Sequence, residues 1–168
     1  LAISELMQMV VTLFEEAYEG QPAETPTWFI DNGPDSGILA TLRGISAVEA
    51  FTAVDGSGNS GATIASHAEH LRWSLALDNR TMRGEPYQAN WSESWNPIDA
   101  SADEWDRLRA DLREEFDTLR DGLNVAFESE GSPVELEGEV LTGLVALIPH
   151  AAYHYGTILQ MVERIRGG

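Results

Sequence analysis

Apolar residues return at steps of three and four along most of this chain, and no stretch alternates strictly enough to read as a strand. That period confines the fold to packed helices. From Ile3 to Tyr18, the residues Ile3, Leu6, Met7, Val10, Leu13, Phe14 and Ala17 make one stripe, which Gly20, Pro22 and Pro26 bring to a stop. The stretch from Gln21 to Gly37 is rich in Pro, Gly, Asp and Asn and reads as a loop packed onto the bundle, with Trp28 and Phe29 embedded in it. Two short helices are predicted over Ile38 to Leu42 and Ala47 to Val54, the second opened by the capping-box spacing of Ser46 and Glu49. The run from Asp55 to Gly61 is a break, and a strong helix follows from about Ala62 to Met82. Arg83 to Asp99 carries Pro86, Pro97, Trp91 and Trp95 and reads as a second packed loop. Ser101 and Glu104 open a long charged helix to about Glu128. Ser132, Pro133 and Glu135 supply the start of a last helix that runs to about Arg166.

Each long amphipathic helix must bury its stripe against another, so four of them predict an all-α four-helix bundle. The 168 residues suit one domain, residues 1–168, and no internal repeat or composition shift divides them. No apolar run approaches the roughly 20 residues needed to span a bilayer. The first residues lack the basic start of a secretory signal, and a cytoplasmic location is expected.

Composition narrows the chemistry. The chain has no cysteine, which excludes disulfides, thiolate ligands and a cysteine nucleophile. All ten basic residues are arginine, so lysine Schiff bases and lysine-bearing phosphate loops are excluded too. A formal charge of −18 repels phosphate backbones and anionic bilayers, so neither nucleic acid nor membrane is an expected partner.

Only four histidines occur, and they fall on two of the predicted long helices. His150 and His154 are four apart and project from one helical face, so both imidazoles can reach one ion. On the other helix, His67 belongs to the apolar stripe of Ile64, Ala68, Leu71 and Leu75. His70 aligns with the more polar flank of Thr63, Ser66 and Ser74, and is expected either to back a ligand or to lie at the surface. Buried histidines are commonly satisfied by ordinary hydrogen bonds. Three on helices otherwise lined by Leu, Ile and Ala would each need a separate polar partner, which one shared cation supplies at once. His67, His150 and His154 are therefore the expected metal ligands. Pro149 falls inside the last helix, where it removes a hydrogen bond to the Val145 carbonyl directly before His150.

The segment from His150 to Gln160 resembles the last-helix signature of the DinB/YfiT-like superfamily, and Ile64 to Leu71 resembles its second-helix signature. Asn79-Arg80 to Gly84-Glu85, and Trp91 to Trp95, resemble one branch of it. The resemblance implies an up-down-down-up bundle, often a homodimer, with a divalent ion held by three histidines, and it carries the ligand role onto His67, His150 and His154. It further implies metal-dependent hydrolases, or S-transferases and isomerases that use a low-molecular-weight thiol as co-substrate. The chain departs from the signature at Pro149 and keeps the familiar ending only in part at Thr157 to Gln160.

Three neutral histidines fill part of the shell of Zn2+ or Ni2+ and leave a position open for water or a small-molecule substrate. Imidazole-only ligation also suits Cu and Fe. No general base is legible: Glu69 reads as a solvated helix residue, and Tyr153 is turned about 100° from His154. Arg72 and Arg80 offer cations to an anionic substrate or are ordinary surface residues. The alternatives to a metal enzyme are a non-catalytic bundle whose metal stabilises or senses, and a metal-free interaction module.

Overall fold

The structure, a computed structural model, describes residues 3–21, 25–54, 61–85, 88–95, 99–128 and 138–167. Its helices are α1 (Ile3–Glu19), α2 (Ile38–Arg43), α3 (Ala47–Phe51), α4 (Ile64–Met82), α5 (Ala102–Glu128) and α6 (Gly138–Gly167), with a 3-10 turn at Trp91–Trp95. No strand occurs among the described residues. The expected start of the last helix at Ser132 to Glu135 lies outside the described residues, as do residues 55–60 of the expected break.

The long helices close a ring: α1 packs on α5 and α6, and α4 packs on the same two. Asn79 of α4 bonds Glu115 of α5, and Met82 lies against Gly122 further along both, so α4 and α5 run parallel. His67 meets His154 while His70 meets His150, so α6 runs against α4. Parallel middle helices are what an up-down-down-up bundle requires, and the long connection between α4 and α5 allows them.

Most of the predicted α1 stripe and the α4 stripe lie in the core, with Leu6 left 42% exposed, and α5 adds an apolar stripe of its own. Met7, Val10, Phe14 and Ala17 of α1 are buried, as are Ile64, Ala68, Leu71 and Leu75 of α4, and Leu112, Phe116, Leu119 and Leu123 of α5. Phe14, Tyr18 and Phe116 pack with ring centroids about 5 Å apart, Tyr18 stacked on Phe116 and Phe14 tilted against both. Trp105 is fully buried and donates from Nε1 to the Ile45 carbonyl at 2.9 Å, which pins the connection between α2 and α3 to α5. Ser46 and Glu49 form the complete capping box expected of them. At 101–104 the serine half is present, with the Glu104 amide donating to Ser101 at 3.1 Å.

The loop before α2 is held by a buried acid. Glu16 is 2% exposed, and its carboxylate accepts from the backbone amides of Trp28 and Phe29 at 2.8–2.9 Å. These are charge-assisted bonds from the loop backbone to a buried carboxylate. Glu16→Gln keeps one oxygen but turns two donors toward those amides. It is expected to cost roughly 1–2 kcal/mol in urea unfolding and to speed hydrogen exchange at the amides of 28 and 29. Gly20 closes the other end of this loop at φ 89°, where a Cβ would stand 2.2 Å from the Ser36 carbonyl oxygen.

Candidate metal centre

The capping box of Thr63 and Ser66 starts α4 so that one turn of the helix presents both His67 and His70 to α6. α6 continues through Pro149 without interruption. The Val145 carbonyl that loses its donor belongs to an exposed residue on an exposed face, so water can serve it. His150 and His154 then follow one turn apart on the side facing α4.

All four histidines meet in one cluster. His67, His70 and His154 are 4%, 7% and 3% exposed, and His150 is half-buried. His70 Nε2 stands 3.0 Å from His150 Nε2, and the His154 ring lies 4.6 and 4.7 Å from the rings of His70 and His150. Among the described residues, the set whose ligating atoms all lie within 4.8 Å of one another is His70, His150 and His154.

That set contains His70, whereas helix spacing pointed to His67 as the third ligand. His67 sits behind His154, with the two Nδ1 atoms 2.8 Å apart, and its Nε2 reaches the Gly61 carbonyl at 3.1 Å. His70, expected either to back a ligand or to lie at the surface, is not at the surface: the 3-10 turn Trp91–Trp95 covers that flank of α4 and encloses it. Its ring stacks on Trp95 at 4.2 Å and 20°, and its Nδ1 meets Ser94 Oγ at 2.7 Å. Ser94 donates its own proton to the Trp91 carbonyl at 2.7 Å, so it accepts from His70 Nδ1–H and leaves His70 Nε2 with a lone pair. Helix spacing gave no signal for Ser94 or Gly61, which lie outside the periodic segments.

Electrostatics favour the form that binds a cation. Burial lowers the pKa of all four rings. In the metal-free protein His154 falls to about 3 and His70 to about 4, burial acting first and the neighbouring histidines adding to it. Neutral imidazoles are what a metal requires. Two Zn–N bonds of 2.0–2.1 Å at a tetrahedral angle place their nitrogens roughly 3.3 Å apart, close to the separation of the His70 and His150 pair. The residues therefore fit a divalent transition ion.

Of the other candidates, the two arginines are engaged by acids and Tyr153 stands beside the cluster. Arg72 is clamped on Glu69 by two bonds of 2.7 Å, and Arg80 bonds Glu85 at 3.1 Å. Tyr153 is 67% exposed and meets the His154 ring edge-on at 5.0 Å.

A ring of four helices with a histidine cluster between two of them defines an all-helical bundle whose cluster could hold a metal. The sequence match is specific: the chain matches the DinB superfamily over residues 4–158 and belongs to it. No curated protein and no solved structure matched the chain. Among the described residues no helix is long and apolar enough to cross a membrane.

Proposed function

We propose that this protein holds one divalent transition ion, Zn2+ or Ni2+ by ligand type, through His70, His150 and His154, and acts with it on a small molecule as a hydrolase or thiol S-transferase. The observation that carries this reading is the pair of Nε2 atoms of His70 and His150 at 3.0 Å, with the His70 proton committed to Ser94 on the far side of the ring. An ion there would supply Lewis-acid activation of water or of a thiol at neutral pH.

The groups backing the ligands are uncharged: a serine hydroxyl behind His70 and an imidazole behind His154. Neutral ligands with neutral backing leave the charge of a divalent ion undiminished, which favours an anionic partner such as a thiolate or carboxylate. A cavity of about 440 Å³ supports a small-molecule substrate; Gly61, Tyr153, Gly156, Thr157, Gln160 and Arg164 are among its lining residues. It borders the cluster through Gly61, which accepts from His67, and through Tyr153, which touches His154.

Chelator-stripped protein titrated with Co2+ tests the reading. One ion per chain is expected, with a visible spectrum that changes when azide or 2-mercaptoethanol is added. Failure to take up Co2+ or Zn2+ would overturn the metal site. A bound ion indifferent to both additives would overturn the enzyme reading and favour the metal-stabilised bundle.

A further inference from the structure

Resting on that metal reading, we propose that His67 is a positioning residue that holds the proton of His154 on Nδ1 and so leaves His154 Nε2 bare for the ion. The inference follows from which atoms can donate. A carbonyl oxygen only accepts, so the contact between His67 Nε2 and the Gly61 carbonyl at 3.1 Å places the His67 proton on Nε2. A neutral ring has one such proton, and His67 Nδ1 is therefore an acceptor. It stands 2.8 Å from His154 Nδ1, which must donate. The lone pair of His154 is then on Nε2.

This direction matters because a free neutral histidine side chain prefers its proton on Nε2, the wrong nitrogen for an Nε2 ligand. His70 is held in the other form by Ser94 on the 3-10 turn. His154 lies in the middle of α6, where the backbone carbonyls are occupied by the helix, so its Nδ1 needs a side-chain acceptor. Both His67 and His154 are buried, so water does not compete for the bond.

Gly61 belongs to the same relay. Its φ of +81° is a conformation that other residues rarely adopt, and a Cβ there would lie 3.4 Å from Trp95 and 3.5 Å from His67 Nε2. Its neighbour is tied down as well, with Val54 N–H donating to the Ala62 carbonyl at 2.9 Å. The chain of contacts from the Gly61 carbonyl through His67 to His154 thus reads as a tautomer lock, made from a histidine that does not itself join the ligand set.

Long-range proton–nitrogen NMR correlation on 15N-labelled, metal-free protein at pH 8 reads the tautomer without an ion. Wild type is expected to show His154 with a protonated Nδ1 and a bare Nε2. His67→Ala is expected to move the proton wholly or partly to Nε2 and to weaken Zn2+ binding about 10- to 100-fold. His67→Gln, whose amide can donate to Gly61 and accept from His154, is expected to restore the wild-type tautomer and most of the affinity. A wild-type His154 protonated on Nε2 would overturn the inference. So would a His67→Ala protein that loses thermal stability while keeping the tautomer. Absence of Zn2+ binding by wild type, with the tautomer as expected, would overturn the metal reading and leave the lock standing.

Discussion

His70→Ala is expected to lower Zn2+ affinity several hundredfold, beyond the loss expected from His67→Ala. Four-ligand zinc sites bind with about 10–16 kcal/mol, so one ligand's share is roughly 3–4 kcal/mol, and each 1.4 kcal/mol is a factor of ten. Removing His70 takes away one of the two nitrogens that face each other at 3.0 Å and removes the donor to the buried Ser94 oxygen. Removing His67 takes away only the partner behind His154. Competition against a chromophoric chelator measures both variants on one scale. A larger loss from His67→Ala than from His70→Ala would assign the ligand role to His67, as the helix spacing first suggested.

The enclosure of His70 beside the histidines of α6 marks where the sequence stops being legible. The helices could be read because a stripe of period 3.6 is written in the order of residues, and the capping box at Ser46 and Glu49 is equally local. The pairing of His150 with His154 is local too, since four residues return a side chain to the same face. His67 and His70 are three apart and differ by only about 60° around α4. The apolar stripe gives the centre of the buried face but not which of its edges is covered. On the His70 edge the cover comes from Trp91 to Trp95, a 3-10 turn without a hydrophobic period, whose docking depends on Trp95 stacking and on the Ser94 bond. Glu16 was hidden for the same reason: its partners are backbone amides of a loop, which any sequence carries. In each case the decisive neighbour comes from an aperiodic segment.

A second acid, half-buried, has the opposite character, and its replacement is expected to stabilise the protein. Asp78 lies on α4 two turns beyond His70, at the edge of a cavity of about 300 Å³ lined by Met82, Leu119, Val140, Leu144 and Leu147 among others. Among the described residues it makes no hydrogen bond or ion pair, and burial pushes its carboxyl up to about 7. The unfolded chain ionises this group near 3.8, so between pH 4 and 7 the folded state holds a proton that the unfolded state has released. Stability contributed by this group is therefore full below about pH 4, declines as pH rises, and is lowest above pH 7. Asp78→Asn stays neutral throughout. At pH 8 it is expected to be more stable than wild type by roughly 2–4 kcal/mol, with a melting temperature higher by roughly 5–10 °C. The depressed histidines act in the opposite sense, costing stability as pH falls below about 6.5, but both proteins share them and they cancel in the difference. Paired thermal melts of metal-free wild type and Asp78→Asn at pH 4, 6 and 8 would therefore show a gap that opens with rising pH. A gap of constant size would mean that the substitution acts through packing against the cavity wall, and a gap that closed toward pH 8 would mean that the Asp78 carboxylate is stabilised in the fold.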